Sequence, residues 1–225
     1  QFPREDQHII ETSKEDVVVK RGLVLTLCMV FLLAFSSMAL AVSFSADGSY
    51  LLGKNKVGDT ETKVSGFLVG ANGEVYPNIL VEGRFLSLSE SEEGKSGSQT
   101  ILSGSVSYRL IQEGELEVLV GGGYLTYNAK ADGEAEAEAG AGLFGKLGVA
   151  FRPLDKLALV GDVGYAPQLK FGDDAEDKKT FLTGRISLSY EVLEQLSVQA
   201  TVVRTGLGGS ENTNLVYGGG IVFTF

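Results

Sequence analysis

After Ala41 the chain contains no histidine, no cysteine, no methionine and no tryptophan. The first two absences exclude the side chain that most often serves as a general base near neutral pH. They also exclude the histidine-activated serine and the cysteine nucleophile. Disulfide staples and thiolate metal sites fall with them. Positive charge is the next scarcity: 19 basic against 29 acidic residues in 225 leave a formal charge of −10, which excludes a nucleic-acid partner held through its phosphates. Proline occurs four times. Carboxylates are plentiful, but they show neither the spacing of a calcium-binding loop nor a distinctive acid/base pair. An enzyme is therefore not expected, and neither a cofactor nor a bound metal is expected.

Long apolar runs are missing with one exception near the start. Lys20 and Arg21 precede an uncharged stretch whose most apolar part, Leu23 to Phe35, is 13 residues long and ends in small residues, with Ala39 and Ala41 at a small-x-small site. This order describes an export signal over residues 20–41, cleaved before Val42. The competing expectation is a retained anchor, since Gly22 to Val42 is 21 uncharged residues and such a length spans a bilayer. Residues 1–19 are polar and lie ahead of the signal, so they are set aside as an upstream extension, together with His8. Five acidic and four basic residues precede Val42, so the 184 residues from 42 to 225 carry 24 acidic and 15 basic groups, a net −9.

What fills residues 42–225 is alternation. Leu102, Gly104, Val106, Tyr108 and Leu110 interleave with Ser103, Ser105, Ser107 and Arg109, and the pattern returns at Leu182 to Tyr190. A period of two marks strands with one apolar and one polar face. Glycine is spread through the same segments and speaks against helix. Tight turns are expected near Tyr76–Asn78, Gln112–Glu115, Pro153–Lys156 and Val192–Gln195. Longer polar loops are expected near 54–62, 90–98, 128–138, 172–178 and 207–213. Strands after three of the turns begin at Leu116, Leu157 and Leu196, spaced 41 and 39 residues apart, a hairpin period. Ten strands result, roughly 43–53, 62–71, 78–89, 99–111, 116–127, 139–152, 157–171, 179–191, 196–206 and 214–225. Eight remain an alternative, because Val64 to Ala71 has an ambiguous face.

Short turns on one side and longer loops on the other resemble a bacterial outer-membrane β-barrel of the small, OmpA-like or porin-like kind. The last strand carries the most specific likeness. Tyr217, Ile221, Phe223 and the terminal Phe225 occupy alternate positions, similar to the signal by which the barrel-assembly machinery recognises its clients, with Gly219 a departure from it. The resemblance implies an all-β, antiparallel, up-and-down transmembrane barrel over residues 42–225. It also implies outer-membrane localisation, lipid and the assembly machinery as partners, and a monomer. A soluble β-sandwich is the competing fold. Tyr50, Tyr108, Tyr124, Tyr165, Tyr190 and Phe151 are expected near strand ends, where amphipathic rings suit the headgroup level.

With the apolar set outward, Asp47, Glu82, Arg84, Arg109, Glu117, Lys146, Asp162 and Arg185 point into the lumen. Arg109 and Glu117 are near neighbours across a turn, and Lys146 and Asp162 are placed to face one another across strands. Two functions follow from these residues. One is a structural or surface-interaction barrel whose lumen is filled by a salt-bridge network; the other is a narrow passive porin-like channel for ions or small solutes. Three acidic segments, 89–93, 134–138 and 173–177, are expected on outer loops as solvated faces, with cation bridging the alternative.

Overall fold

The computed structural model describes residues 43–58, 60–92, 95–130, 138–171, 178–208 and 213–225. The extension, the export signal with Ala39 and Ala41, and most of the acidic segments at 134–138 and 173–177 lie outside the described residues.

Ten antiparallel strands follow one another along the chain: β1 (Ser43–Val57), β2 (Thr60–Tyr76), β3 (Ile79–Glu92), β4 (Lys95–Glu113), β5 (Leu116–Lys130), β6 (Glu138–Leu154), β7 (Leu157–Phe171), β8 (Lys178–Leu193), β9 (Leu196–Leu207) and β10 (Thr213–Thr224). Each pairs with its neighbours in sequence, and β1 pairs with β10 from Ser45↔Thr224 to Lys56↔Thr213. The sheet is therefore closed, and no strand is left with an unpaired edge.

At one end four hairpins turn through two residues each: Pro77-Asn78, Gly114-Glu115, Asp155-Lys156 and Glu194-Gln195. Asn78 and Gly114 take the positive φ that such turns demand, 67° and 56°. In each of these hairpins the register shifts close to the turn, between Glu74 and Tyr76, Arg109 and Ile111, Phe151 and Leu154, and Glu191 and Leu193. A bulge there strengthens the local twist, as a closing barrel requires. Each turn is also tied to the strand beyond its own hairpin: Arg109 N–H donates to Asn78 O, Arg152 to Glu115, Glu191 to Lys156 and Thr224 to Gln195, all at 2.8–3.0 Å.

At the other end the strands outrun the expected loops. Val57 pairs with Thr60, and Glu92 with Lys95, so most of 54–62 and 90–98 is strand. As a result Tyr50, Tyr124 and Tyr165 stand within their strands rather than at the ends. Tyr124 and Tyr165 are each the ninth residue of a strand that begins at the turn side. At about 3.3 Å per residue and a tilt near 40°, eight steps climb to about 20 Å, close to the height of a lipid-facing band.

The faces are sorted opposite to those of a soluble protein. Large apolar side chains look outward around the whole barrel, with Leu143 73%, Ile186 59% and Val106 54% exposed, while Ser105, Ser107, Asp162, Ser187, Gln199 and Thr201 are buried. Water does not tolerate a continuous apolar belt of that extent, so the belt faces lipid. The ambiguous segment resolves with Val64 and Leu68 inward and Phe67 and Val69 outward.

At two glycines the neighbouring strand's backbone comes close enough to exclude any side chain. A Cβ at Gly123 would lie 1.9 Å from Gly104 O, and one at Gly218 would lie 1.8 Å from Tyr50 O. Only glycine lets the neighbouring backbone approach that closely.

Candidate functional site: a layered lumen

The bulges and turns set which side chains point inward, and the inward side chains form layers along the barrel axis. Nearest the turns, Arg109 on β4 donates to both carboxylate oxygens of Glu74 on β2, at 3.3 and 3.0 Å. Its Nε stands 3.5 Å from Glu117 on β5. Arg152 reaches in from β6 to the other oxygen of Glu117. Glu74 also accepts the N–H of Asn78 at 3.0 Å, so this carboxylate holds both the turn and the ion cluster. Two anions meet two cations.

One level up, Glu82 and Arg84 on β3 face Lys146, Asp162 and Arg185 on β6, β7 and β8. Arg84 bonds Asp162 through two nitrogens, at 2.9 and 3.3 Å, and Glu82 at 2.7 Å. Arg185 Nε donates to Asp162 at 2.9 Å, and Lys146 donates to Glu82 at 2.8 Å. Asp47 belongs to the same inward face; its Oδ1 lies 2.5 Å from where a Cβ on Gly70 would sit, and its Oδ2 is buried without a hydrogen-bond partner. The three cations and three carboxylates of this level balance. Balance matters in a lumen walled off from water, where an unpaired charge costs several kcal/mol. On the facing wall the polar groups are neutral, with Gln199 donating to Ser49 Oγ at 2.9 Å and Ser187 bonded to Thr201 at 2.9 Å.

Above the ions, in the loop-side half, the lumen turns apolar. Leu51, Leu68, Leu86, Ile101, Leu125, Phe144, Leu169, Phe181, Val203 and Val216, one from each of the ten strands, belong to a single buried cluster. Tyr127 is 1% exposed and its ring meets Phe171 edge-on and Phe181 at a tilt, both at 5.9 Å. A cavity of about 40 Å³ lies where this layer meets Glu82, Arg84, Lys146, Asp162 and Arg185, room for a few waters and no more. A thin polar layer caps the cluster: Asn214 donates to Gln99 at 2.6 Å and to Thr205 at 3.2 Å, Asn55 bonds Glu90, and Lys179 sits 4.9 Å over the Phe171 ring.

All eight inward charges named from the sequence lie on the lumen side, and Arg109 and Glu117 stand beside one another as expected, but one expected pairing differs. Lys146 and Asp162 do not pair. The register sets Asp162 opposite Gly148 on one side and Arg185 on the other, which leaves Lys146 free to cross the lumen to Glu82. The sequence reading missed Glu74 and Arg152, and it missed the apolar layer. Among the described residues no group of three or more His, Cys, Asp or Glu side chains is arranged to hold a metal ion.

No protein-family model and no curated protein matches the sequence. Solved structures do match in fold. The outer-membrane protease OmpT from Escherichia coli aligns with a TM-score of 0.52 at 13% identity, over 82% of this chain and 97% of that one. Neisserial surface protein A aligns at 0.48 and 8% identity, over 81% and 97%, and the translocator domain of the autotransporter NalP from Neisseria meningitidis at 0.42 and 14%, over 92% and 98%. The fold is thus the closed, ten-stranded, antiparallel barrel found among outer-membrane β-barrels. Within that class the identities are too low to single out a subfamily.

Proposed function

We propose that this protein is a closed structural or surface-interaction barrel of the outer membrane and not a conduit. The observation that supports the reading is the apolar layer, to which every strand contributes a buried side chain. An ion entering from the loop side would have to shed its water against leucine, phenylalanine and tyrosine, and hydrophobic constrictions of this kind block conduction by dewetting. The charged layers beneath it brace β3 against β6, β7 and β8. Export through a signal at 20–41, and recognition of Tyr217, Ile221, Phe223 and Phe225 by the barrel-assembly machinery, complete the proposal, with a monomer as the working unit. The lack of histidine and cysteine after Ala41 supports a non-enzymatic role.

Single-channel recording tests the reading, with the heat-dependent gel shift as the check that a closed barrel has formed. The expected result is a folded, silent protein. Discrete current steps from the unaltered barrel would instead support the porin-like channel.

A further inference from the structure

A row of outward side chains crosses the seam where the barrel closes. Arg204 on β9 is paired with Leu215 on β10, Leu215 with Lys54 on β1, and Lys54 with Lys63 on β2. All four are exposed and share the outward parity of the lipid-facing residues below them. With strands about 4.8 Å apart, Arg204 and Lys54 stand about 10 Å from each other across Leu215, within reach of a common anion. Glu61 neutralises Lys54 in part, at 2.6 Å. Among the described residues Lys63 and Arg204 have no anionic partner.

The next outward row toward the turns changes character. It runs Val202, Tyr217, Leu52 and Ser65, and the row after that runs Ala200, Gly219, Tyr50 and Phe67. Gly219 and, two residues further along the neighbouring strand, Gly48 leave a notch in this wall. A Cβ at Gly48 would meet nothing within 4 Å, and one at Gly219 only Gln199 O at 3.6 Å. The backbone does not require glycine at either place, so the notch is open space on the lipid side, separated from the cations by the row that holds Tyr217 and Leu52.

We propose that this seam binds one phosphorylated membrane lipid of the loop-side leaflet, its phosphate held by Arg204, Lys54 and Lys63 and one acyl chain lying past Tyr217 into the notch at Gly219 and Gly48. Two independent features carry the assignment, a cationic row toward the loop end and the side-chain-free space at Gly219 and Gly48 nearer the turns, in the order that an anionic amphiphile presents them. Guanidinium and ammonium groups both bind phosphate, the former in two-pronged fashion. The inference rests on the barrel standing in a membrane with its loop end at a lipid headgroup surface.

Native mass spectrometry of the detergent-purified protein tests it, with dioleoyl phosphatidic acid, dioleoyl phosphatidylcholine and inorganic phosphate as separate probes. Phosphatidic acid is expected to be retained one to one, above phosphatidylcholine, and inorganic phosphate not to be retained. Replacing Lys54, Lys63 and Arg204 together by Gln should weaken retention by roughly a hundredfold, at about fivefold for each cation near a lipid surface. Gly219→Leu should weaken it with every charge in place. The control is Lys130→Gln, Lys170→Gln and Lys178→Gln, exposed cations elsewhere around the barrel, which should leave retention unchanged. Equal retention by wild type and the seam triple variant overturns the proposal, as does an equal loss in the control. Loss of the heat-dependent gel shift in the wild-type protein would instead overturn the membrane-barrel reading itself, and the lipid site with it.

Discussion

Arg84 on β3 spans the lumen to grip Asp162 on β7 through two nitrogens, 2.9 and 3.3 Å, while Arg185 holds the same carboxylate from the adjacent strand at 2.9 Å. One carboxylate thus answers two guanidinium groups and ties together strands that share no backbone hydrogen bond. Asp162→Ala should leave both arginines buried without it. Breaking a buried pair from one side costs about 3–5 kcal/mol, and here two pairs break. The expected outcome is a marked drop in the urea midpoint of the refolded barrel. Lys54→Ala, which removes an exposed ion pair, should leave that midpoint where it was.

The apolar layer predicts a gain of function. Tyr127→Ala combined with Phe181→Ala removes two rings that fill the loop-side bore, and should convert a silent barrel into one that shows discrete current steps. Each truncation also lowers stability, by about 3–5 kcal/mol for a buried ring, so the gel shift has to be recorded beside the currents. Once the bore is open, Lys146→Ala and Arg185→Ala should change its ion preference, because these are the cations below the gap. Silence from the folded double variant would mean that the ionic layers alone suffice to block the bore.

Glycine positions separate into those the sheet needs and those it merely has. At Gly123 a Cβ would fall 1.9 Å from Gly104 O and 2.7 Å from Ser105 Cα, whereas at Gly145 it would meet nothing within 4 Å. Gly123→Val should therefore abolish or severely slow refolding, and Gly145→Val should be tolerated. The fraction of chain showing the heat-dependent shift measures both.

The terminal residue predicts a defect in assembly. Phe225 donates its N–H to Phe44 O at 2.8 Å, and the two rings lie 5.8 Å apart, so the last residue is fastened to the first described strand. Phe225→Ala should reduce the yield of assembled barrel in cells more than it reduces the stability of barrel refolded in detergent. Pulse-labelled assembly and a urea titration, taken together, check the difference.

Strand number, turn positions and the inward charges were legible in the sequence, because one residue type carried each signal. Tight turns declared themselves through Asn78 and Gly114, and Leu102, Val106 and Tyr108 alternated with Ser and Arg. The apolar layer was not legible, for a physical reason: in the loop-side half both faces of a strand are apolar. Leu51 is buried and Leu52 exposed, Leu68 buried and Val69 exposed. Alternation disappears where lumen and lipid side are equally greasy, and only the register decides which is which. The pairing of Lys146 with Asp162 failed for a related reason. Lys146 finds Glu82 across the lumen and not on an adjacent strand, and no spacing along the chain encodes that distance. Arg152 continues the inward parity of Lys146, Gly148 and Ala150, so its direction was legible; its partner Glu117, on the neighbouring strand, was not.

The turn-side carbonyls carry one more consequence. Asn78, Glu115, Lys156 and Gln195 each accept an N–H from the strand beyond their own hairpin, so every turn is fastened from outside as well as by its own pairing. The sheet is therefore not a set of interchangeable modules: each turn is secured by the strand beyond its hairpin, and the Gln195 turn only by Thr224 on β10, the strand that also closes the barrel against β1.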